Sequence, residues 1–354
     1  MTGPKTEPDA ESAAGTPILL IPYMWIGDFV RCHSVVKVLR ERWPDRPVDM
    51  LATTLCAPLA DYMPGLRKAV IVDLPRKRLA LAQHKALAGR LRREGYGDAI
   101  VMPRTWKSAL TPFLAGIPRR TGWAGEARFG LLNDVRWGER RLPRMIDQCG
   151  VLALAPDAPK PAEWPLPELR VPAAEIADWQ VRMGLSDGGR SVVGLCPGAV
   201  GPAKRWTVEG YRVLADRLGR EGRAVWVFGG PGERELAEEI AQAGPHVRNL
   251  TGNDLRNAIL GLAASRVAVS NDSGLLHVAA AAGTPAIGIF GPTSPWHWAP
   301  LNPLAGVIET AAELPCRPCH KPVCRLEHHR CMRDITSEQV VAATLRALNA
   351  RTLA

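Results

Sequence analysis

Short unbroken apolar runs alternate along this chain with longer segments whose apolar residues recur every three to four positions. TPILLIPY, beginning at Thr16, is apolar throughout, as a strand covered on both faces requires. DFVRCHSVVKVLRERWP follows with Val35, Val38 and Leu39 at helical spacing. VDMLAT, AVIVDL and DAIVMP predict three further strands, and RKRLALAQHKALAGRLRREG a basic amphipathic helix between them. From Pro156 to Pro172 the periodicity lapses into prolines, the mark of an interdomain connection. Beyond it the alternation resumes with new sequence. SVVGLCPG, AVWVFGGPG, HVRNLTG and VAVSND read as strands, and YRVLADRLGREG, ERELAEEIAQAG and LRNAILGLAASR as helices.

Continuous apolar strands alternating with helices predict parallel sheets covered by helices. The expected fold class is therefore α/β, with two doubly wound domains facing each other across a cleft. Residues 16–165 form the first domain and 166–354 the second, after a polar, small-residue leader at 1–15 expected to be disordered. Ligands of such sheets bind beyond the carboxyl ends of the strands, where the glycine turns of this sequence fall.

Composition adds a charge asymmetry. Residues 1–165 hold 25 Lys+Arg against 17 Asp+Glu, whereas residues 166–354 hold 20 against 18. The first half thus suits an anionic partner: nucleic acid, a membrane surface or a phosphorylated substrate, unless its basic surface only confers solubility. A basic start followed by an apolar core is absent, as is an apolar run of ~18 residues, so a cytosolic chain is expected. The basic helix from Arg76 to Arg93 reads as a solvated face, or, through Leu79, Leu87 and Leu91, as a peripheral contact with an anionic membrane surface.

The chemistry concentrates at strand ends. In SNDSGLLHVAAAAGTPAIGIFGPTSP, Asn271, Asp272, Ser273 and Gly274 precede a slim helix from Leu275 to about Ala282, stopped by Gly283 and Pro285. The amides at that helix start offer a seat for a phosphate, and His277 lies one turn in. The alternative is that Asp272 and Ser273 only cap the helix and that His277 is a satisfied structural histidine. Pro197 and Gly198 follow another strand, with Lys204 and Arg205 in the ensuing loop, and GGPGE brings Glu233 to a third strand end. Together these predict a nucleotide-diphosphate pocket. Neither a Walker P-loop nor a G-x-G-x-x-G fingerprint occurs, which argues against an ATPase or an ordinary dehydrogenase. In the first domain WIGD places Asp28 where the first helix begins, either as an N-cap or as a general base. Arg104, Lys107, Arg119 and Arg120 are candidates for holding an anionic acceptor, with solvated surface charge the alternative for each.

These segments, with PRTWKSALTPFLAGIPRRTGWAGEARFGLLNDVR and CPGAVGPAKRW, resemble the ADP-heptose:lipopolysaccharide heptosyltransferases of glycosyltransferase family 9, along almost the whole chain. The resemblance implies a GT-B architecture of two Rossmann-like domains. It further implies an inverting transfer, with no catalytic cofactor, of heptose from ADP-heptose to a heptosyl-Kdo-lipid A acceptor at the cytoplasmic face of the inner membrane. By position, Asp28 matches the base and Lys204 the lysine on the donor diphosphate. Asp272, Ser273, Gly274 and His277 match the donor signature, Glu233 a donor-contacting carboxylate, and Arg119 and Arg120 the acceptor side. A glycosyltransferase of the same fold acting on another acceptor, a protein hydroxyl or another core sugar, would share the donor half.

Eight cysteines divide into two groups. Cys32, Cys56, Cys149 and Cys196 stand in apolar or helical contexts, as small core residues do. Cys316, Cys319, Cys324 and Cys331 have the spacing C-x2-C-x4-C-x6-C, which suits a structural zinc, or iron, within a loop at 316–331; free thiols are the alternative. With pI ≈ 9.5 this cluster also admits a zinc-knuckle nucleic-acid-binding protein. Four Tyr, five Phe and a nearly neutral second half weigh against that reading, so no nucleic-acid partner is expected.

Overall fold

The computed structural model describes residues 15–75, 78–185 and 191–350. The expected leader falls outside them except for Gly15, as do Arg76 and Lys77 of the basic segment. The chain divides into two compact units, Met1–Pro165 and Leu166–Ala354.

The first unit is built on strands β1 (Ile18–Ile21), β2 (Val48–Ala52), β3 (Leu66–Ile71), β4 (Asp98–Val101), β5 (Arg119–Trp123) and β6 (Asp134–Arg136). They form one parallel sheet in the order β3-β2-β1-β4-β5-β6. Each crossover is long because parallel neighbours cannot be joined by a tight turn. The principal helices are α1 (Ile26–Arg42), α2 (Leu81–Arg93) and α3 (Trp106–Leu114). β1, β2 and β4 are buried along their whole length; β1 is apolar throughout, while β2 and β4 each carry one buried carboxylate, Asp49 and Asp98, paired with Arg67 and Arg46.

The second unit repeats this order. Strands β7 (Val192–Cys196), β8 (Ala224–Val227), β9 (Val247–Asn249), β10 (Val267–Asn271), β11 (Ala286–Ile289) and β12 (Ala305–Ile308) lie in the order β12-β11-β10-β7-β8-β9. Read from the other edge, this is the 3-2-1-4-5-6 arrangement of the first sheet. Its principal helices are α4 (Ala173–Arg182), α5 (Val208–Arg220), α6 (Arg234–Ala241), α7 (Leu255–Ala264), α8 (Gly274–Ala281) and α9 (Ser337–Ala350). The core gathers Val193, Leu195, Tyr211, Leu214, Val225, Val269 and Ile287 with Met332 and Leu348, so the chain's end is folded into the sheet's covering layer.

Each sheet has one topological switch point, between β1 and β4 in the first unit and between β7 and β10 in the second. The connections leaving these neighbouring strands run to opposite sides, opening a crevice at the carboxyl ends.

The membrane reading of the basic helix needs correction. Leu87 and Leu91 of α2 are 2% and 1% exposed and pack in the first unit's core, with Val101, Ala109 and Ile117. The leucines that were to meet lipid already have a protein partner. Only Leu79 and Leu81, at the helix entrance, remain exposed.

Candidate functional site

The second unit's crevice is organised by two consecutive residues at the end of β10. Asn271 is fully buried. Its Nδ2 donates to the Pro197 carbonyl at 2.6 Å, while its Oδ1 accepts from the Trp206 amide at 3.1 Å and the Tyr211 hydroxyl at 3.2 Å. One amide side chain thereby ties the turn after β7 and the start of α5 to β10. Asp272 faces the other way. Its Oδ2 accepts from Lys204 Nζ at 2.7 Å and from Thr293 Oγ1 at 2.7 Å, drawing the turns after β7 and β11 together. Both bonds are charge-assisted and the carboxylate is nearly buried, so they are stronger than ordinary hydrogen bonds.

The remaining donor-side candidates converge on the same turns. A Cβ at Gly198 would lie 2.7 Å from Glu233 Cγ, so a larger residue there would displace the Glu233 side chain. Glu233 Oε2 accepts from the Gly230 amide at 2.8 Å, and its Oε1 lies 3.9 Å from Arg205 Nη2. Arg205 Nε donates to the Ala199 carbonyl. α8 begins at Gly274 with Ser273 at its N-cap, one residue before the expected start. The Ser273 hydroxyl pairs with Ser270 Oγ at 3.0 Å and makes no capping bond, and Asp272 is committed to Lys204 and Thr293. The alternative in which these two residues merely cap the helix is therefore set aside. First-turn amides not capped by Ser273, a lysine held by its carboxylate partner, and a glycine turn make a site able to take a diphosphate. His277 is buried one turn into α8.

In the first unit, Asp28 lies in the first turn of α1, whose N-cap is Trp25, so it is not the cap. Arg31 Nη1 lies 3.3 Å from Asp28 Oδ1, and the carboxylate side chain is 22% exposed. The turn after β4 carries Arg104, whose Nη1 donates to Glu139 Oε2 at 3.2 Å, and Lys107 in the first turn of α3. Asp28, Arg104 and Lys107 thus follow the two strands that flank the switch point. Burial, with the nearby Cys149 and Glu139, pushes the Tyr23 hydroxyl far up, so Tyr23 stays a neutral donor beside them.

Arg119 and Arg120 depart from the expectation. They open β5, and Arg119 pairs with Asp98 at the amino end of β4, so both stand at the sheet end opposite to Asp28. Arg119 is ion-paired to Asp98, which also holds the buried Arg46. Arg120 donates to the carbonyls of Ile117 at 2.5 Å and Leu131 at 2.7 Å, and burial lowers its pKa. These guanidiniums close the bottom of the sheet.

In the cysteine cluster, Cys316, Cys319 and Cys324 are half-buried and Cys331 is buried. Burial pushes the Cys331 thiol up to about 11, against the pull of Arg317 and with the help of the other three thiols, which are near enough to act on it. Among the described residues, no group of three or more Cys, His, Asp or Glu side chains converges as a ready-made metal site. The four scattered cysteines are buried, as read from their contexts.

Asn271 and Thr293 are the site residues that sequence reasoning left without a role. Asn271 carried a signal, a polar residue closing an otherwise apolar strand; Thr293 carried none beyond its place after Gly-Pro.

Residues 84–330 match the model of Glycosyltransferase family 9 (heptosyltransferase). The chain is 37% identical to lipopolysaccharide heptosyltransferase 2 of Escherichia coli over 339 residues, 92% of this chain and 96% of that protein. It is 39% identical to lipooligosaccharide heptosyltransferase 2 of Haemophilus influenzae over 304 residues, 82% and 88% of the respective chains. The solved structure of E. coli ADP-heptose lps heptosyltransferase II superposes with a TM-score of 0.83 at 35% identity, covering 96% of this chain and all of that one.

The buried amide makes a testable demand. Asn271→Ala leaves the Pro197 carbonyl, the Trp206 amide and the Tyr211 hydroxyl without their partner, and is expected to cost on the order of 3 kcal/mol in urea unfolding. A loss below about 1 kcal/mol would mean that water takes over those bonds.

Proposed function

We propose that this chain, which belongs to glycosyltransferase family 9, the heptosyltransferases, transfers heptose from ADP-heptose to the heptosyl-Kdo-lipid A inner core of lipopolysaccharide. The observation that carries this reading is the Lys204–Asp272–Thr293 network at the second switch point, with Asp28 placed at the first. Each switch point carries one carboxylate, Asp28 after the first strand of its sheet and Asp272 after the fourth strand of the other, and their different neighbours give them different roles. Asp28 receives the proton of the acceptor hydroxyl as that oxygen attacks the anomeric carbon. The bond from that carbon to the diphosphate oxygen breaks as the new glycosidic bond forms, with inversion and with ADP as leaving group. Lys204 and the α8 amides meet the charge that gathers on the diphosphate, while Asp272 holds Lys204 in place. The chemistry needs no metal. Arg104 and Lys107 face the phosphorylated acceptor; Arg119 and Arg120, at the other end of the sheet, do not. The same machinery would serve another acceptor, and acceptor competition separates the two readings.

For the acceptor's lipid surroundings, the surface that fits is a protruding aromatic pair. Phe129 and Trp137 are 62% and 70% exposed and stack with ring centroids 6.0 Å apart. Exposed Arg140 and Arg141 stand beside them and make no ion pair among the described residues. Aromatic rings flanked by arginines suit the headgroup region of an anionic leaflet. No described helix is long and apolar enough to cross a membrane. For the cysteines, the reading is a structural zinc or iron on Cys316, Cys319, Cys324 and Cys331, gained when the loop's thiols turn toward one another.

Three outcomes are expected. ADP release from ADP-heptose should require the lipid A–Kdo–heptose acceptor. Asp28→Ala should lower kcat by about 10²–10⁴, and Lys204→Ala should weaken donor binding about 10–100-fold; acceptor-independent release would overturn the assignment. The double variant Phe129→Ala/Trp137→Ala should sediment less with phosphatidylglycerol vesicles than the unaltered chain, and neither should bind phosphatidylcholine vesicles; equal sedimentation would remove the aromatic pair from the membrane contact. Metal analysis of anaerobically purified protein should find one zinc or iron per chain, lost in Cys324→Ser; a metal-free native protein refutes that site.

A further inference from the structure

Between β12 and residue 330 the chain has no regular secondary structure. Three of its non-glycine residues, His320, Glu327 and His329, nevertheless adopt left-handed backbone with φ of 53°, 58° and 49°. L residues hold that conformation only where their surroundings fix it. The bonds that fix this loop lead to two places, and both lie beside Asp272.

The first is the short 3-10 turn Pro202–Lys204. The Ala203 amide donates to the Pro322 carbonyl at 3.0 Å, and His329 Nε2 donates to the Ala203 carbonyl at 2.7 Å. Both peptide groups of the residue before Lys204 are therefore held by the loop. Gly201 lets the two backbones meet: at its φ of +93°, a Cβ would lie 3.1 Å from Pro322 Cα. The second place is the turn after β11. The amides of Cys319 and His320 both donate to the Pro292 carbonyl, at 3.0 and 2.9 Å. Arg317 Nε donates to the Gly291 carbonyl at 2.6 Å and its Nη2 to Phe290 at 3.3 Å. Pro292 precedes Thr293. The loop thus grips the backbone beside both side chains that donate to Asp272 Oδ2.

We propose that residues 317–329 form a clasp on the donor seat, with His329 and Arg317 as positioning residues that set its affinity for a nucleoside diphosphate. This rests on the reading of Lys204 as the diphosphate-binding lysine. The clasp touches no reacting atom. It fixes the separation of two turns whose side chains must meet on one carboxylate oxygen, and loosening it lets Lys204 leave the position that the diphosphate requires.

ADP binding by calorimetry, with steady-state kinetics alongside, tests the clasp. His329→Ala and Arg317→Ala are expected to raise the Kd for ADP and the KM for the donor about tenfold, as the loss of one such bond implies, while kcat at saturating donor stays within about twofold. His329→Gln, which keeps a donor, is expected to restore most of the affinity. Leu326→Ser, at an exposed position of the same loop, is expected to bind ADP like the unaltered protein. Unchanged ADP affinity in both alanine variants, or equal weakening in Leu326→Ser, overturns the clasp. A Lys204→Ala variant in the same series separates the two ideas. If it binds ADP normally, the donor reading itself fails; if it binds weakly while His329→Ala binds normally, only the clasp does.

Discussion

Parallel pairing lets a strand reach its neighbour only by a crossover, and every crossover departs from a carboxyl end. In both units the strand order 3-2-1-4-5-6 makes two of these departures diverge from adjacent strands. The diverging connections leave that gap open between them, and the chain lines it with polar groups that bond to the surrounding turns. The candidate chemistry collects there. Asp28 follows β1, with Arg104 and Lys107 after its neighbour β4; Lys204 follows β7, with Asp272 after its neighbour β10. The same backbone constraint, met twice, yields an anion seat in one unit and a carboxylate beside basic side chains in the other.

The amino end of the first sheet and the carboxyl end of the second differ in what they do with charge. At the amino end of the first sheet, Asp98 is bonded by both Arg46 and Arg119, and Trp43 lies within 5.5 Å of the Arg119 guanidinium. Those charges satisfy one another. At the carboxyl end of the second sheet, Lys204 has one partner of its own kind of strength and a side chain 29% exposed, so it retains donors for a ligand. Resemblance of a short motif does not distinguish these situations, because an arginine beside a strand looks the same in sequence at either end.

The fold was legible in the sequence to the extent that buried strands are mostly apolar. β1, β7 and β8 were read from unbroken apolar runs, and β2, β4 and β10 from runs broken only at Asp49, Asp98 and the closing Ser270 and Asn271. β5 and β6 were not, because RRTGW and DVR carry charge at half-buried positions near the sheet's edge. The donor-side residues were legible because glycine turns and the Asn-Asp-Ser-Gly helix start mark strand ends directly. Their wiring was not. That Asp272 turns away from its own helix toward Lys204 depends on the pairing of β7 with β10, a contact between segments remote in sequence. The leucines of α2 misled for a related reason, since an apolar stripe reads alike whether lipid or a neighbouring helix covers it.

The register of the central strands has a consequence for how the protein is made. Ile18 lies opposite Asp98, and Val193 opposite Val267. Most of each unit must leave the ribosome before its switch point can close, and contacts of such long range form slowly. Helices and single strand–helix units can begin to order earlier, but Lys204 has no Asp272 to meet until β10 docks beside β7. Acquisition of the donor seat is therefore a late event in the maturation of the nascent chain, and a stalled or truncated product lacking β10 carries the lysine without the seat.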